Sequence, residues 1–173
     1  MNILESCILK AYLESSRGER KGDKWEEVEA IRSYILNVKK IVVATKNLNK
    51  YKVIREVLLK EVYKEREVEI SRIEVPTEAA DLTRMPALNK GLIAVDTTDA
   101  QLVIARGRLG VPGSGSMLLI MDNKGRILSG SISPPSVIHR RSVEDVVREE
   151  LLEALRRIGI LGDSYEVRYN REC

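Results

Sequence analysis

The sequence predicts an α/β protein with a mixed sheet flanked by helices, entered through an amino-terminal helical extension. Three observations carry that prediction. The leading segment repeats apolar residues at helical spacing. From Lys39 the chain alternates apolar strand runs with an amphipathic helix. Finally, Met117 to Met121 and Arg126 to Ile132 flank Asp122-Asn123-Lys124-Gly125, the pattern of a hairpin. Helix-linked strands run parallel and a hairpin runs antiparallel, so one sheet holding both is mixed.

Residues 2–15 place Ile3, Leu4, Cys7, Ile8, Ala11 and Tyr12 on one helical face, and the polar run from Ser15 to Asp23 ends the pattern. Asp23 is placed to cap a second helix. In it Trp25, Val28, Ile31, Tyr34 and Ile35 share a face, with Glu26 and Glu27 near the positive end of the dipole. Residues 1–37 are thus an extension whose apolar faces pack on the core or on a partner subunit. Residues 38–173 form a single α/β domain, because 173 residues fit one core. Ile41 to Thr45 reads as a buried strand. Tyr51, Ile54, Val57 and Leu58 mark a helix, and Val68 to Val75 a second strand. Leu92 to Asp96 and Gln101 to Ala105 read as two strands in close succession, followed by the loop from Arg106 to Ser116 and then the hairpin. Val143 to Ile158 is a helix capped by Ser142, with Asp145 three residues on and Val146, Val147, Leu151, Leu152 and Leu155 facing the core. Tyr165 to Tyr169 reads as a last edge strand.

Composition narrows the partners. With 29 basic against 26 acidic residues the formal charge is +3, too weak a field to attract nucleic acid or an anionic membrane. Any anion binding must therefore be local. Cys7 and Cys173 lie at opposite ends, without metal-ligand spacing and without a disulfide framework. No apolar run approaches the roughly 18 residues that span a bilayer, and acids interrupt the amino terminus where a signal peptide has its apolar core. The expectation is a soluble protein of a reducing cytoplasm.

Four clusters carry chemistry. The run Ile41 to Lys50 delivers Thr45, Asn47 and Lys50 to the mouth of a helix, where free N–H groups point at an anion. Thr45 donates its hydroxyl, Asn47 caps the helix and Lys50 adds a point charge. The plain alternative is an ordinary strand-to-helix loop. In Ala94-Val95-Asp96-Thr97-Thr98-Asp99 a strand ends in a carboxylate that can hold Mg²⁺, or else in a simple turn. The loop Gly107 to Ser116 holds four glycines that let backbone N–H groups approach a ligand. It has neither the P-loop nor the dinucleotide spacing. Last, His139, Arg140 and Arg141 precede a helix start. An arginine fork grips phosphate, and an imidazole can bond a purine edge.

Read in order, these clusters resemble the inosine triphosphate pyrophosphatase (Ham1) superfamily over about residues 39–160. Thr45, Asn47 and Lys50 match its phosphate loop, Ala94 to Thr98 its acidic box, Gly110 to Ser116 its Gly-x-Pro-Gly turn, and Ile138-His139-Arg140 its base-recognition box. Val95 stands where the family has a first aspartate, Ile138 where it has a serine, and the segment between Glu78 and Lys90 is short. Hydrolysis by activated water is thereby put in doubt. A closer resemblance is to a small methanogen family that performs the guanylyltransferase step of iron-guanylylpyridinol cofactor synthesis for [Fe]-hydrogenase. It is carried by Gly22-Asp23-Lys24-Trp25-Glu26-Glu27, Thr45-Lys46-Asn47-Leu48-Asn49-Lys50, Asp96-Thr97-Thr98-Asp99-Ala100 and Gly110-Val111-Pro112-Gly113-Ser114-Gly115-Ser116.

This resemblance implies transfer of GMP from GTP to a pyridinol hydroxyl, with release of pyrophosphate, by a homodimer of pyrophosphatase-like fold. On that expectation Asp96 and Lys50 are catalytic. Thr45, Asn47, Lys50, Thr97, Thr98, His139 and Arg140 bind the nucleotide. Gly113, Ser114, Gly115 and Ser116 line the acceptor side, and Asp96 with Glu78 holds Mg²⁺. The pyridinol hydroxyl is more acidic than water and needs little help from a base, so the loss at Val95 is tolerable. Two alternatives stay open: a pyrophosphatase of non-standard purine triphosphates, and a non-catalytic nucleotide-binding protein.

Overall fold

The structure is a computed structural model that describes residues 2–133 and 140–161. Helix α1 (Ile3–Ser16) begins at Asn2, whose side chain accepts from the Glu5 N–H at 2.8 Å and so satisfies an otherwise orphaned donor. Helix α2 (Trp25–Asn37) starts at Lys24 and not at the expected cap Asp23. The reason is electrostatic. Arg20 draws Asp23 away at 2.9 Å and also binds Glu27, whose carboxylate reaches back to the Lys24 N–H at 2.9 Å.

The chain then runs β1 (Lys40–Ala44), α3 (Leu48–Val57) with a π-helical continuation Leu58–Tyr63, β2 (Glu69–Ile73), α4 (Thr77–Leu82), α5 (Pro86–Thr97), β3 (Leu102–Arg108), β4 (Ser116–Asp122), β5 (Ile127–Ser133) and α6 (Val143–Arg157). The sheet order is β2-β1-β3-β4-β5. Strand β1 is parallel to both β2 and β3, while β3, β4 and β5 are antiparallel neighbours. The mixed sheet and the hairpin are as the sequence predicts. At the hairpin the buried Asp122 accepts from the N–H groups of Lys124 and Arg126, both at 2.9 Å, while Gly125 takes φ +77°. The segment Tyr165 to Tyr169 lies outside the described residues.

One element differs. Leu92 to Asp96, expected as a strand, belongs to α5. Pro86 opens that helix, where its missing N–H costs nothing, and the apolar run wraps to bury Gly91 and Ala94. A short apolar run fits either period, and the proline was the cue that separates them.

Alternation along β1 divides the core. Ile41 and Val43 join Ile104 and Ile120 beneath α3 and α6, together with Leu4 and Ile35 of the leading helices. Val42 and Ala44 join Val103, Ala105 and Met121 beneath α5. Helix α3 therefore leaves β1 on one face, and α5 enters β3 from the other. Such a switch point between adjacent parallel strands opens a crevice at their carboxyl ends. Gly107 fixes how tightly α5 closes it: a Cβ there would stand 2.7 Å from the Ala87 nitrogen and 2.9 Å from Pro86 Cβ. Because the obstacle includes backbone, Gly107→Ala is expected to cost about 1–3 kcal/mol, read as a lower denaturation midpoint in urea.

Candidate functional site

The crevice holds a cavity of about 200 Å³ lined by Thr45, Asn47 and Lys50 from the β1–α3 junction, Lys90 from α5, and Ile104 and Arg106 from β3. A larger depression of about 390 Å³ lies at the opposite edge, around Asn2, Ser33, Tyr34 and Gln101, and no charged side chain lines it. The smaller cavity is the one lined by cations and by the cluster that the sequence singles out.

Its floor is built by local rules. Strand β1 ends at Ala44, and the Asn47 N–H donates to Thr45 Oγ1 at 3.1 Å. Asn47 Oδ1 then accepts from the Lys50 N–H at 3.0 Å, capping α3 as the sequence predicts. Thr45, Asn47 and Lys50 thus meet in one place. Burial pushes the Lys50 ammonium below the ordinary lysine pKa. Arg106 and Lys90 push it further, while Glu150 and Glu144 act in the opposite sense. Burial likewise lowers Lys90, helped by Arg106, Arg108 and Lys46 and opposed by Asp81. Lys90 Nζ also donates to the Arg106 carbonyl at 3.4 Å. Lys50, Lys90 and Arg106 therefore share a partly dry space that the exposed Lys46 also lines, an arrangement that suits a polyanion.

Other expected residues stand elsewhere. Asp96 is exposed on the last turn of α5, six residues and about 9 Å along the axis from Lys90. Thr97 and Thr98 turn their hydroxyls onto the carbonyls of Ile93 and Ala94 at 2.6 and 2.7 Å. Asp99, just beyond, pairs with Lys40 at the start of β1, so this box occupies the amino edge of the sheet, opposite the cavity. The cause is the helix: a strand would have carried the carboxylate to the carboxyl edge. Glu78 is exposed in the first turn of α4 and does not line the cavity. In the β3–β4 loop Gly113 and Gly115 take positive φ, and Ser114 bonds the Leu109 carbonyl at 3.0 Å. Ser116, the first residue of β4, reaches Arg106 and accepts from its Nη2 at 2.8 Å. Arg140 is exposed with φ +53°, and His139 lies outside the described residues.

Lys90, Arg106 and Glu150 were not anticipated. Lys90 precedes the apolar run that begins at Leu92, and Arg106 follows the run Gln101 to Ala105. Glu150 left a readable trace, being an acid on the apolar stripe of α6 three residues from Val147 and four from Ala154.

Among the described residues no group of three His, Cys, Asp or Glu is placed to hold a metal ion. Glu150, the carboxylate paired with Arg106, is bound by that arginine and two serines, and the described side chains lining the cavity are cationic or neutral. This donor set does not fit Mg²⁺ held by Asp96 and Glu78.

The model of the family described as "FeGP cofactor biosynthesis protein HcgB, guanylyltransferase" matches residues 4–160. Among solved structures, the crystal structure of protein VC0702 from Vibrio cholerae is similar over 63% of this chain and 66% of that one, at 20% identity and a TM-score of 0.45.

A desolvated lysine destabilises the fold that holds it, so Lys50→Met is expected to raise the Tm while abolishing the stabilisation given by added pyrophosphate. The sign follows from linkage. A folded pKa below the unfolded one means that wild type gains stability as pH rises toward about 10, so its deficit against the variant shrinks there. Melting curves across that range, with and without pyrophosphate, check both outcomes.

Proposed function

This chain belongs to the HcgB family, the guanylyltransferases of FeGP cofactor biosynthesis, and on that premise we propose that the cavity at the carboxyl ends of β1 and β3 binds the phosphates of GTP. The observation that carries this reading is the convergence of Lys50, Lys90 and Arg106 beside the amino end of α3. A triphosphate supplies the negative charge that this cluster lacks.

In the proposed reaction a pyridinol hydroxyl oxygen attacks the α-phosphorus. A bond forms from that oxygen to phosphorus, the bond to the bridging oxygen breaks, pyrophosphate departs and the hydroxyl proton passes to solvent. Negative charge grows on the departing pyrophosphate. Lys50 and Lys90 stabilise it as point charges and Arg106 as a directed donor, without needing to reorganise. Thr45 and the capped start of α3 position the phosphates.

His139 and Arg140 are proposed for the guanine, their segment joining β5 to α6. Gly113, Ser114, Gly115 and Ser116 are proposed for the acceptor side, supported by the bond between Ser116 and Arg106. Asp96 and Glu78 are given no metal, and no step is routed through one. The homodimer stays within the proposal, supported by Leu9, Tyr12 and Leu13, which are exposed on α1. Among the described residues no helix is long and apolar enough to cross a membrane.

Incubation with GTP, with and without a pyridinol, tests the reading. Pyrophosphate and a guanylylated product should appear together and only with the acceptor. Pyrophosphate without acceptor would favour a hydrolase. Lys90→Ala and Arg106→Ala should each weaken GTP binding about tenfold by calorimetry, and Asp96→Asn should leave it unchanged. Unaltered affinity in both cation variants would remove this cavity from the reaction.

A further inference from the structure

Glu150 is a carboxylate only 3% exposed, set on the core-facing stripe of α6 between Val146, Val147, Leu151 and Ala154. An apolar residue would fill that place more readily, because burying a charge is unfavourable unless every lone pair finds a donor. Here four hydrogen bonds reach the carboxylate, three at Oε1 and one at Oε2. Arg106 donates from Nε at 2.8 Å and from Nη2 at 3.1 Å, and Ser116 and Ser133 each donate at 2.5 Å. The serines face each other because β4 and β5 pair them in register. The carboxylate thus gathers the start of β4, the end of β5, and Arg106 of β3.

A guanidinium has five N–H groups. Nε and Nη2 of Arg106 are taken up by Glu150 and Ser116, whereas the two N–H groups of Nη1 meet no acceptor among the described residues. We infer that Glu150 is a positioning residue for the nucleotide site: it grips Arg106 by its Nε–Nη2 edge and thereby aims Nη1 at a phosphate oxygen of the nucleoside triphosphate. This rests on the phosphate reading of the cavity. It adds that the site's affinity depends on a side chain which never touches the ligand. Bidentate pairing also fixes the plane of the guanidinium, so its orientation need not be found during binding.

A second consequence is electrostatic. Lys50 faces Arg106 on β3, Lys90 on α5, and Glu150 and Glu144 on α6, and of these only the two acids favour its protonated form. Removing the Glu150 charge lowers the Lys50 titration further.

The test is a double-mutant cycle on the full chain, with GTP as the probe and calorimetry as the readout. Glu150→Gln should weaken GTP binding about tenfold. It should also move the alkaline limit of binding to lower pH, a change that a purely structural role does not produce. In an Arg106→Lys background the same substitution should weaken binding by less than about twofold, because lysine has no edge for the carboxylate to hold. Additive losses would overturn the inference. Should Glu150→Gln fail to fold, Ser133→Ala takes its place, with a loss of about threefold in wild type and none beside Arg106→Lys; equal losses in both backgrounds overturn it. If Arg106→Lys itself leaves GTP affinity unchanged, the phosphate reading falls. If Arg106→Lys weakens binding and Glu150→Gln does not, only the positioning role falls.

Discussion

Like charges held close together in a half-dry crevice are the constraint around which this protein is built. Lys50, Lys90 and Arg106 repel one another, and burial takes from the lysines the water that would screen them. Such a cluster persists only on a scaffold that cannot relax away from it. Strand β1 supplies part of that rigidity, since Ile41 through Ala44 are buried on alternating faces and leave the strand no freedom to shift. Gly107 supplies another part by seating the first turn of α5 directly on the end of β3. The repulsion among these cations is an unfavourable feature of the fold that a bound polyanion would relieve.

The remaining charges offset this locally unfavourable arrangement without neutralising it. Glu5 is held near 2 by hydrogen bonds from Arg126 and Lys124, which stitch α1 to the β4–β5 hairpin. Arg20 gathers Glu14, Asp23 and Glu27 between the leading helices, and Lys40 meets Asp99 at the amino edge. Paired charges thus occupy the extension and the far edge, and the less balanced ones face the crevice. A net charge of +3 conceals that polarity. The function therefore depends on placement, and a charge count excludes only long-range steering.

What could be read from the sequence was what lies close along the chain. Thr45, Asn47 and Lys50 span six positions, and the cap that joins them is a local hydrogen bond. The β4–β5 hairpin was likewise announced by its turn residues. Asp96 was misplaced because Leu92 to Val95 suit a strand or a helix equally, and that one choice of period moved the carboxylate from one edge of the sheet to the other. Arg106 and Glu150 lie 44 residues apart and meet only after β3, β4, β5 and α6 have assembled. A periodicity analysis marks Glu150 as an oddity on an apolar stripe but cannot name its partner. Asp23 failed as a cap for a similar reason, a competing arginine outside the helix.

The choice between transfer and hydrolysis also shifts its footing once Val95 is seen on a helix. Its position no longer says anything about a lost water-activating carboxylate, because α5 carries Val95 and Asp96 away from the cavity. The same conclusion returns from Glu150. Hydrolysis by water requires a base with a free lone pair near the α-phosphorus, whereas an acidic ring hydroxyl largely supplies its own oxyanion. Glu150, the carboxylate paired with Arg106, is engaged by Arg106, Ser116 and Ser133 and does not line the cavity. A lining of cations suits a leaving pyrophosphate, and among the described residues no carboxylate lines the cavity to activate water. That balance favours transfer to a nucleophile that arrives already acidic, in keeping with the guanylyltransferase activity of the family.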